Sequence, residues 1–427
     1  MSQLTLDARR PRAARLVAPP SKSDALRLLA LAHILDRRDW LTAIGPRPWA
    51  SDIEVFAEGL ETLRSARGGN EAIVIDCRDG GAPLRFLLSL AATTPGRFRF
   101  VGSPRLGARP HAPLVAALSR SLGPGGLSIR SGDPWPIEVH SSGATGEPLF
   151  RVSGAESSQY PSSLVLAAAA LFHRERRPWL VEIDGPVVSE GYLELTLRAL
   201  RQAGFRVERS RSSVEMLAWD GRVDQNPAVP ADWSALGYLL PIAWKTGGSV
   251  AGLPDDGLGD VLEDVHPDRA IIDHLHHAGL EVSREPGDTR VTGQLHRGLR
   301  ASAARAPDLI PALAALACLL PDTSVFTEIA RLRSKESDRL EAIQDLVAAS
   351  GATSHLEGDS LHIEPARHAG AAAPLRFDAR DDHRMIMAAA TLAVLLGTTL
   401  ELRGATGVEK SFPGFFGQLA LAGIELC

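Results

Sequence analysis

The sequence lacks the features that mark secreted, membrane-spanning and nucleic-acid-binding proteins. Its only cysteines, Cys77, Cys318 and Cys427, are scattered without CxxC spacing, which argues against a disulfide framework and fits a reducing cytoplasm. No apolar run reaches the ~18 residues of a membrane span, and the first residues have no signal-peptide core. The net charge is −5, which argues against binding nucleic acid through bulk positive charge. We therefore expect a cytoplasmic protein with no membrane or nucleic-acid partner.

The chain is long for one hydrophobic core. Its 427 residues exceed the ~250–300 that a single core usually supports, so at least two domains are expected. The 44% hydrophobic and 23% charged residues are ordinary for a globular protein. Because the net charge is negative, any anion binding must come from a local cluster of Arg and Lys.

A polar segment followed by an Ala/Leu-rich run recurs six times along the chain. We call these polar segments head segments; they begin at Lys22, Gly81, Ser157, Asp232, Asp308 and Asp382. From residue 81 onward they start 74 to 76 residues apart, and only the interval from residue 22 to 81 is shorter, at 59. A fixed period with one motif per unit is typical of repeated architecture. The short first interval indicates an interrupted first unit.

Each repeat is predicted to contain two helices and several short strands. Ser51–Ser65 and Leu340–Gly351 have apolar residues at helical spacing, while Ala72–Cys77 and Thr398–Leu402 have the composition of strands. The fold class is therefore mixed α/β (α+β), with strongly apolar helices buried in parallel and their polar ends gathered at one rim. Such helix N-termini favour phosphate and carboxylate.

The domain boundary is predicted at a proline-punctuated link, residues 226–233. One three-unit domain then spans residues 20–230. The other contains residues 1–19 plus 231–427, because residues 1–19 are expected to supply the missing strands of the short first unit. An active site is expected in the cleft between the two domains.

The segment Arg331–Leu340 holds the densest charge. Arg331, Arg333, Lys335 and Arg339 accompany Glu336 and Asp338 directly before an apolar-periodic run, which Ser334 or Ser337 can cap. An isolated charge run is usually a solvated helix start. This density of fixed cations beside a carboxylate instead suits a site that binds an anion and moves a proton.

Five motifs, in this order and covering essentially the whole chain, resemble the 5-enolpyruvylshikimate-3-phosphate (EPSP) synthase family. They are Pro20–Ser23 with Arg27, Ser157–Gln159, Lys335–Arg339, Asp382–Met385 and Lys410–Pro413. The resemblance implies an EPSP-synthase-like fold of two domains, each with three βαβαββ units. It implies a monomeric transferase that moves the enolpyruvyl group of phosphoenolpyruvate (PEP) to the hydroxyl of shikimate 3-phosphate, in aromatic amino-acid biosynthesis. It implies no cofactor and no metal.

The resemblance also assigns roles to individual residues. Those that would surround PEP are Lys22, Gly81, Arg109, Arg339, Arg384 and Lys410. Those that would hold the acceptor are Ser23, Arg27, Ser157, Ser158, Gln159, Ser189, Tyr192 and Lys335. Asp308 would be the base at the attacking hydroxyl, Glu336 would give and take a proton at the PEP methylene, and Lys22 would be an acid for the departing phosphate.

One segment departs from the family pattern. Asp79–Arg85 keeps Gly81 and Arg85 but has Asp79 in place of the usual Asn and lacks the Thr hydroxyl. Gly81 leaves the space that sensitive family members leave for glyphosate, an anion that occupies the PEP site. Because such changes cluster on ligand-facing segments, an enolpyruvyl transferase of a specialised pathway, acting on a different phosphorylated alcohol, is the alternative.

Three other interpretations are weaker. UDP-N-acetylglucosamine enolpyruvyl transferase shares the fold, but its Lys-Asn pair and loop cysteine are absent here. A ring-shaped DNA clamp also suits six repeats, but the negative net charge opposes it. His274, His276 and His277, near several acids, have no zinc-type spacing, so a solvated helix is expected there.

Overall fold

The computed structural model describes residues 3–66, 71–132, 135–143, 146–222, 227–253, 265–366 and 374–427. The chain divides into two compact units. Residues 22–229 form the continuous unit, and residues 1–21 with 230–427 form the discontinuous unit. Residue 226 of the predicted link lies outside the described residues.

The discontinuous unit begins with two strands, β1 (Gln3–Asp7) and β2 (Arg15–Val17). The continuous unit follows. Its helices are α1 (Lys22–Ile34), α2 (Ser51–Ser65), α3 (Gly81–Thr93), α4 (Pro104–Gly107), α5 (Ala112–Leu122), α6 (Gln159–Glu175) and α7 (Gly191–Gln202). Its strands are β3 (Ile73–Asp76), β4 (Gly96–Val101), β5 (Leu127–Ser131), β6 (Ile137–Ser141), β7 (Leu149–Ser153), β8 (Trp179–Asp184), β9 (Phe205–Arg209) and β10 (Ser213–Trp219).

Two four-stranded sheets of the continuous unit share one pairing pattern. Their orders are β3-β4-β6-β5 and β7-β8-β10-β9, and in each sheet the first pair is parallel and the others antiparallel. Helix α3 packs against α6, and α1 packs against α6 and α7. Twelve of the 13 residues of α3 and twelve of the 17 residues of α6 are buried, since both sequences are rich in Ala and Leu.

The first repeat of this unit departs from the βαβαββ pattern. Within the described residues 22–66 the chain forms α1, a 3₁₀ turn (Arg38–Ile44) and α2, with no strand. The buried side chains of Trp40, Ile44 and Trp49 join the core there. This shortened repeat accounts for the 59-residue first interval.

The discontinuous unit contains the remaining elements. Its helices are α8 (Trp233–Thr246), α9 (Ile271–Ala278), α10 (Ile310–Ala317), α11 (Arg339–Ala349), α12 (His383–Leu396) and α13 (Phe415–Leu421). Its further strands are β11 (Ser249–Ala251), β12 (Leu280–Glu285), β13 (Asp288–Gly293), β14 (Arg300–Ser302), β15 (Ser324–Thr327), β16 (Thr353–Glu357), β17 (Ser360–Glu364), β18 (Leu375–Asp378), β19 (Thr399–Arg403) and β20 (Glu425–Leu426).

Three sheets of the discontinuous unit repeat the same pairing pattern. Their orders, each given from the parallel pair, are β2-β11-β13-β12, β14-β15-β17-β16 and β18-β19-β1-β20. The N-terminal segment supplies two of these strands: β2 pairs parallel with β11, and β1 lies between β19 and β20. In the described residues, neither strand pairs with the short first repeat.

Each unit has its own hydrophobic core, one within residues 25–216 and the other shared by residues 6–18 and 231–424. Helix α12, buried from His383 to Leu395, packs against α8 and α10. Within the described ranges, no helix combines the length and the apolar character that a bilayer span requires.

Candidate active site

The first residues of three buried helices carry predicted site residues in the continuous unit. Lys22, Gly81 and Gln159 begin α1, α3 and α6. A buried helix exposes its N-terminal N–H groups where the polar sequence begins, so these positions are suited to anions. The structure thus places the head segments at the starts of helices.

Lys22 is held by an acid that sequence reasoning did not single out. Its Nζ lies 2.9 Å from Oδ2 of Asp52, in the first turn of α2, and 14% of the Lys22 side chain remains exposed. Nothing in the sequence pattern around Asp52 distinguishes it from an ordinary acid in a first turn.

Arg27 links α1 to α7. Its buried guanidinium donates to Oγ1 of Thr196 at 2.8 Å, to the carbonyl of Ser23 at 2.7 Å and to the carbonyl of Tyr192 at 2.6 Å. Burial lowers the pKa of Arg27 to about 10, although Asp24 opposes this shift, so the group remains charged at neutral pH. In this structure Arg27 therefore holds two other predicted acceptor residues in place.

The remaining predicted acceptor residues lie at the starts of α6 and α7. The Gln159 N–H donates to Oγ of Ser157 at 3.2 Å, so Ser157 caps the helix start, while the side chain of Ser158 makes no capping bond. Ser189 has a φ of 52° and accepts from the Tyr192 N–H at 3.0 Å. A positive φ at a non-glycine residue is costly and commonly occurs at functional sites.

Arg109 lies across Gly81. A Cβ placed on Gly81 would come within 2.3 Å of Nη1 and 2.8 Å of Cζ of Arg109. The glycine is therefore what allows the guanidinium to approach the start of α3. In the same region, Asp79 accepts a short hydrogen bond from the Ser103 hydroxyl, which gives this unexpected acid a neutral partner.

In the discontinuous unit, Arg339 gathers three carboxylates. Its side chain is completely buried (0% exposed), and it contacts Asp308 at 2.7 Å, Glu336 at 2.6 Å and Asp382 at 2.9 Å. Glu336 lies three residues before Arg339 in the chain, whereas Asp308 and Asp382 are 31 and 43 residues away. Such a cluster is stable only because each charge is paired and hydrogen-bonded.

Two further predicted cations complete this cluster. Arg384 lies 3.4 Å from Oδ2 of Asp308, and Lys410 lies 3.4 Å from Oε1 of Glu336. Lys335 adds a favourable electrostatic interaction with Asp308. A single charged cluster thus contains Asp308, Lys335, Glu336, Arg339, Arg384 and Lys410.

The cluster sets the protonation of Asp308. Burial alone would raise its pKa, but Arg384, Arg339 and Lys335 outweigh burial and hold the pKa of the carboxyl well below its usual range. Asp308 is therefore ionised at neutral pH. Burial also acts against the charge of Arg339, but the three neighbouring acids raise its pKa well above the ordinary value.

The helix starts here differ from the prediction for Ser334 and Ser337. The N-cap of α11 is Asp338, whose side chain accepts from the Glu341 N–H at 3.1 Å. Ser337 instead donates to Oδ2 of Asp382 at 2.9 Å. Capping by Ser334 or Ser337 was thus wrong, because Asp338 directly precedes the first helical residue and its carboxylate is the stronger acceptor.

Asp382 also belongs to this cluster, although sequence reasoning noted it only as part of a motif. It is fully buried, caps α12 by accepting from the Arg384 N–H at 2.9 Å, and accepts from both Ser337 and Arg339. Its signal is the Asp-His-Arg order at a helix start, which places a capping acid two residues before a site cation.

The histidines do not form a metal centre in the part of the chain that the structure describes. No group of three or more His, Cys, Asp or Glu suited to a metal occurs there. His274, His276 and His277 lie on α9. Two of the acids near them in sequence, Asp260 and Asp264, lie outside the described residues. His383 is buried, with Nδ1 3.8 Å from Asp382.

Solved structures similar to this chain include an EPSP synthase and another enolpyruvyl transferase. EPSP synthase from Acinetobacter baumannii matches with a TM-score of 0.72 and 20% identity over 100% of both chains. The enolpyruvyl transferase NikO from Streptomyces tendae matches with a TM-score of 0.68 and 12% identity, covering 100% of this chain and 98% of its own. At such low identity these matches establish the fold alone, and they confirm the predicted fold class.

The family follows from sequence. The EPSP synthase (3-phosphoshikimate 1-carboxyvinyltransferase) family model matches residues 7–419. The 3-phosphoshikimate 1-carboxyvinyltransferase of Methanopyrus kandleri is 32% identical over 434 residues, which cover 96% of this chain and 95% of that protein. The enzyme of the same name from Methanocella arvoryzae is 29% identical and covers 96% of each. The chain belongs to the EPSP synthase family, and the resemblance seen in its motifs is confirmed.

Proposed function

We propose that this chain transfers the enolpyruvyl group of PEP to the hydroxyl of shikimate 3-phosphate and releases phosphate. The observation that carries the proposal is the pairing of Asp308 and Glu336 on one buried arginine, Arg339. Two carboxylates held a fixed distance apart among cations suit a reaction that moves two protons between anions. The name shared by the relatives supports shikimate 3-phosphate as the acceptor over another phosphorylated alcohol.

The reaction has two balanced steps. In the first, the acceptor oxygen loses its proton and bonds to C2 of PEP, while the C3 methylene gains a proton and becomes methyl. In the second, the C2–O bond to phosphate breaks and C3 returns a proton, so that an enol ether and phosphate are released. The chain's own side chains carry out both steps, so the proposed reaction needs no metal or cofactor.

The proton carriers are Asp308 and Glu336. Asp308 is ionised at neutral pH and so is able to accept a hydrogen bond and then the proton from the attacking hydroxyl. Glu336 gives and takes the proton at C3, held by Arg339 at 2.6 Å and Lys410 at 3.4 Å. Lys22, beside Asp52, is proposed to protonate the departing phosphate.

The cations differ in how they contribute. Arg339 is engaged by carboxylates at 2.6–2.9 Å, so we propose that it acts mainly by fixing Asp308 and Glu336. Arg384 and Lys410 make longer contacts of 3.4 Å and are proposed to turn toward the carboxylate and phosphate of PEP, together with Arg109 beside Gly81.

The acceptor is proposed to bind mainly through the continuous unit. Hydroxyl, amide and phenol groups for this purpose come from Ser23, Ser157, Ser158, Gln159, Ser189 and Tyr192. Lys335 of the discontinuous unit adds a cation. Arg27 supports this set by holding Ser23 and Tyr192. We further propose a cytoplasmic monomer; the buried free thiols of Cys77 and Cys318 support a reducing compartment.

The test is release of inorganic phosphate from PEP in the presence of shikimate 3-phosphate. We expect turnover that requires both substrates, together with a product that carries a carboxyvinyl ether in its proton NMR spectrum. Asp308→Asn is the matched negative control, because the amide is nearly the same size but cannot accept the proton. Turnover with another phosphorylated alcohol, and none with shikimate 3-phosphate, would overturn the acceptor assignment while leaving the enolpyruvyl chemistry in place.

A further inference from the structure

The carbonyl group of Pro110 ties the segment that carries Arg109 to two helices of the continuous unit. The Pro110 carbonyl accepts from the Tyr160 hydroxyl at 2.6 Å and from Nη2 of Arg85 at 3.1 Å. A carbonyl oxygen has two lone pairs, so both donors are accommodated. This carbonyl directly follows Arg109 in the chain.

The two donors support each other. The Arg85 guanidinium carbon lies 5.1 Å from the centroid of the Tyr160 ring, within cation–π distance, and both side chains are buried. Nη1 of Arg85 also donates to Oε1 of Gln159, the residue before Tyr160. Arg85 thereby joins a proposed acceptor residue to the segment that carries a proposed PEP residue.

The rest of the segment is closed by its own hydrogen bonds. The Arg109 N–H and Nε2 of His111 both contact the Leu106 carbonyl, at 3.2 Å and 2.9 Å. These bonds shape residues 106–111 locally. The bonds to the Pro110 carbonyl join this turn to α3 and α6 and so set where the Arg109 guanidinium lies relative to Gly81.

We propose that Tyr160 is a positioning residue for PEP. Its hydrogen bond to the Pro110 carbonyl holds Arg109 against Gly81 and at a fixed position relative to Gln159. The inference rests on the proposed function, since it takes Arg109 as a ligand of PEP. Tyr160 touches neither substrate. Its effect is transmitted through the backbone of residues 109–110.

The test is Tyr160→Phe, which removes a single oxygen and keeps the ring beneath Arg85. The matched control is Ser121→Ala, which removes another buried hydroxyl that donates to a backbone carbonyl, that of Leu149, in the same unit. We expect Tyr160→Phe to raise KM for PEP by about three- to tenfold, as expected for one net hydrogen bond. KM for shikimate 3-phosphate should change by less than about twofold, and Ser121→Ala should change neither value.

Amide hydrogen exchange provides a readout that does not depend on turnover. Residues 106–111 should exchange faster in Tyr160→Phe than in the wild type, and should be unchanged in Ser121→Ala. Unchanged KM for PEP and unchanged exchange would overturn the inference. If the wild type does not turn over these substrates, the proposed function fails, and exchange alone decides whether Tyr160 positions the segment.

Discussion

Arg339 illustrates how one side chain can determine the chemistry of several others. Its guanidinium is inaccessible to solvent and contacts Asp308, Glu336 and Asp382. Removing one partner of such a buried pair commonly costs about 3–5 kcal/mol, because the remaining charges lose their counterion. The arginine is therefore part of the fold and of the proposed site at once.

Substitution of Glu336 tests its proposed role as the proton carrier at C3 of PEP. We expect Glu336→Gln to lower turnover by ~2 to 4 orders of magnitude, the range of a positioned acid or base, because an amide cannot carry the proton. PEP binding in the presence of the acceptor, measured by calorimetry, should stay within a few fold. The control is Glu341→Gln, since Glu341 is exposed on α11, the helix that follows Glu336, and pairs with Arg380 outside the cluster. Turnover near the wild-type value would remove Glu336 from the chemistry.

The second prediction concerns Gly81. Because an added Cβ meets the Arg109 guanidinium at 2.3 Å, Gly81→Ala must displace that flexible group. We expect a higher KM for PEP and weaker inhibition by glyphosate, with a smaller change in kcat. Gly417→Ala is the control, because a Cβ there meets no atom within 4 Å. Equal inhibition of the Gly81→Ala variant and the wild type would contradict the placement of Arg109 in the PEP site.

At the scale of elements, the segment from Leu106 to His111 is held by polar contacts to a buried histidine. His111 is 8% exposed, and its Nε2 lies 2.9 Å from the Leu106 carbonyl. Burial, reinforced by the nearby cations Arg85 and Arg109, lowers the pKa of His111 from 6.5 to about 4. The imidazole is neutral in the folded protein, so Nε2 is the donor to the carbonyl.

This histidine makes stability depend on pH. Its folded pKa lies below its unfolded value, so protons bind the unfolded chain more readily. The stabilisation is complete above pH 6.5 and is lost as pH falls from 6.5 toward about 4. The largest loss corresponds to about 3 kcal/mol. We expect His111→Gln to flatten the dependence of unfolding free energy on pH in this range, as measured by urea denaturation. The same slope in variant and wild type would contradict the assignment.

At the scale of the whole molecule, the chain is divided in an asymmetric way. One core lies entirely within the continuous unit. The other needs the N-terminal strands, since β1 pairs with both β19 and β20, and Leu6 and Leu16 are buried in that core. The first 21 residues therefore contribute to the unit that begins again at residue 230.

This division predicts how fragments behave. Residues 22–229 expressed alone should unfold cooperatively in urea, because every buried residue of their core is present. Residues 230–427 alone should be poorly folded, and joining residues 1–21 to their C-terminus through a flexible linker should restore folding; β1 and β20 are antiparallel neighbours, so the join is short. A cooperative transition in the 230–427 fragment without residues 1–21 would contradict the role given to β1 and β2.

The features that depend on local pattern could be predicted without the structure. Period and apolar runs predicted the repeats and the mixed α/β class, and the resemblance of five motifs indicated the family. The four cations of the discontinuous unit predicted to bind ligands, Lys335, Arg339, Arg384 and Lys410, lie in one cluster. These features could be predicted because hydrophobic periodicity and capping act over a few residues. The roles of individual site residues remain predictions.

Only the tertiary structure decided the partners of those residues. Three pairings depend on contacts between segments 30 to 50 residues apart. They join Lys22 to Asp52, Arg339 to Asp382, and Tyr160 to the Pro110 carbonyl. Residues 1–19 were predicted to supply strands to the second domain, but the sheets that β1 and β2 join were not predicted, nor was the absence of strands from residues 22–66. Strand pairing depends on how the whole unit packs. Local sequence pattern specifies that a strand or a charged residue is present. The packing of the whole unit decides which strand it pairs with or which residue it contacts.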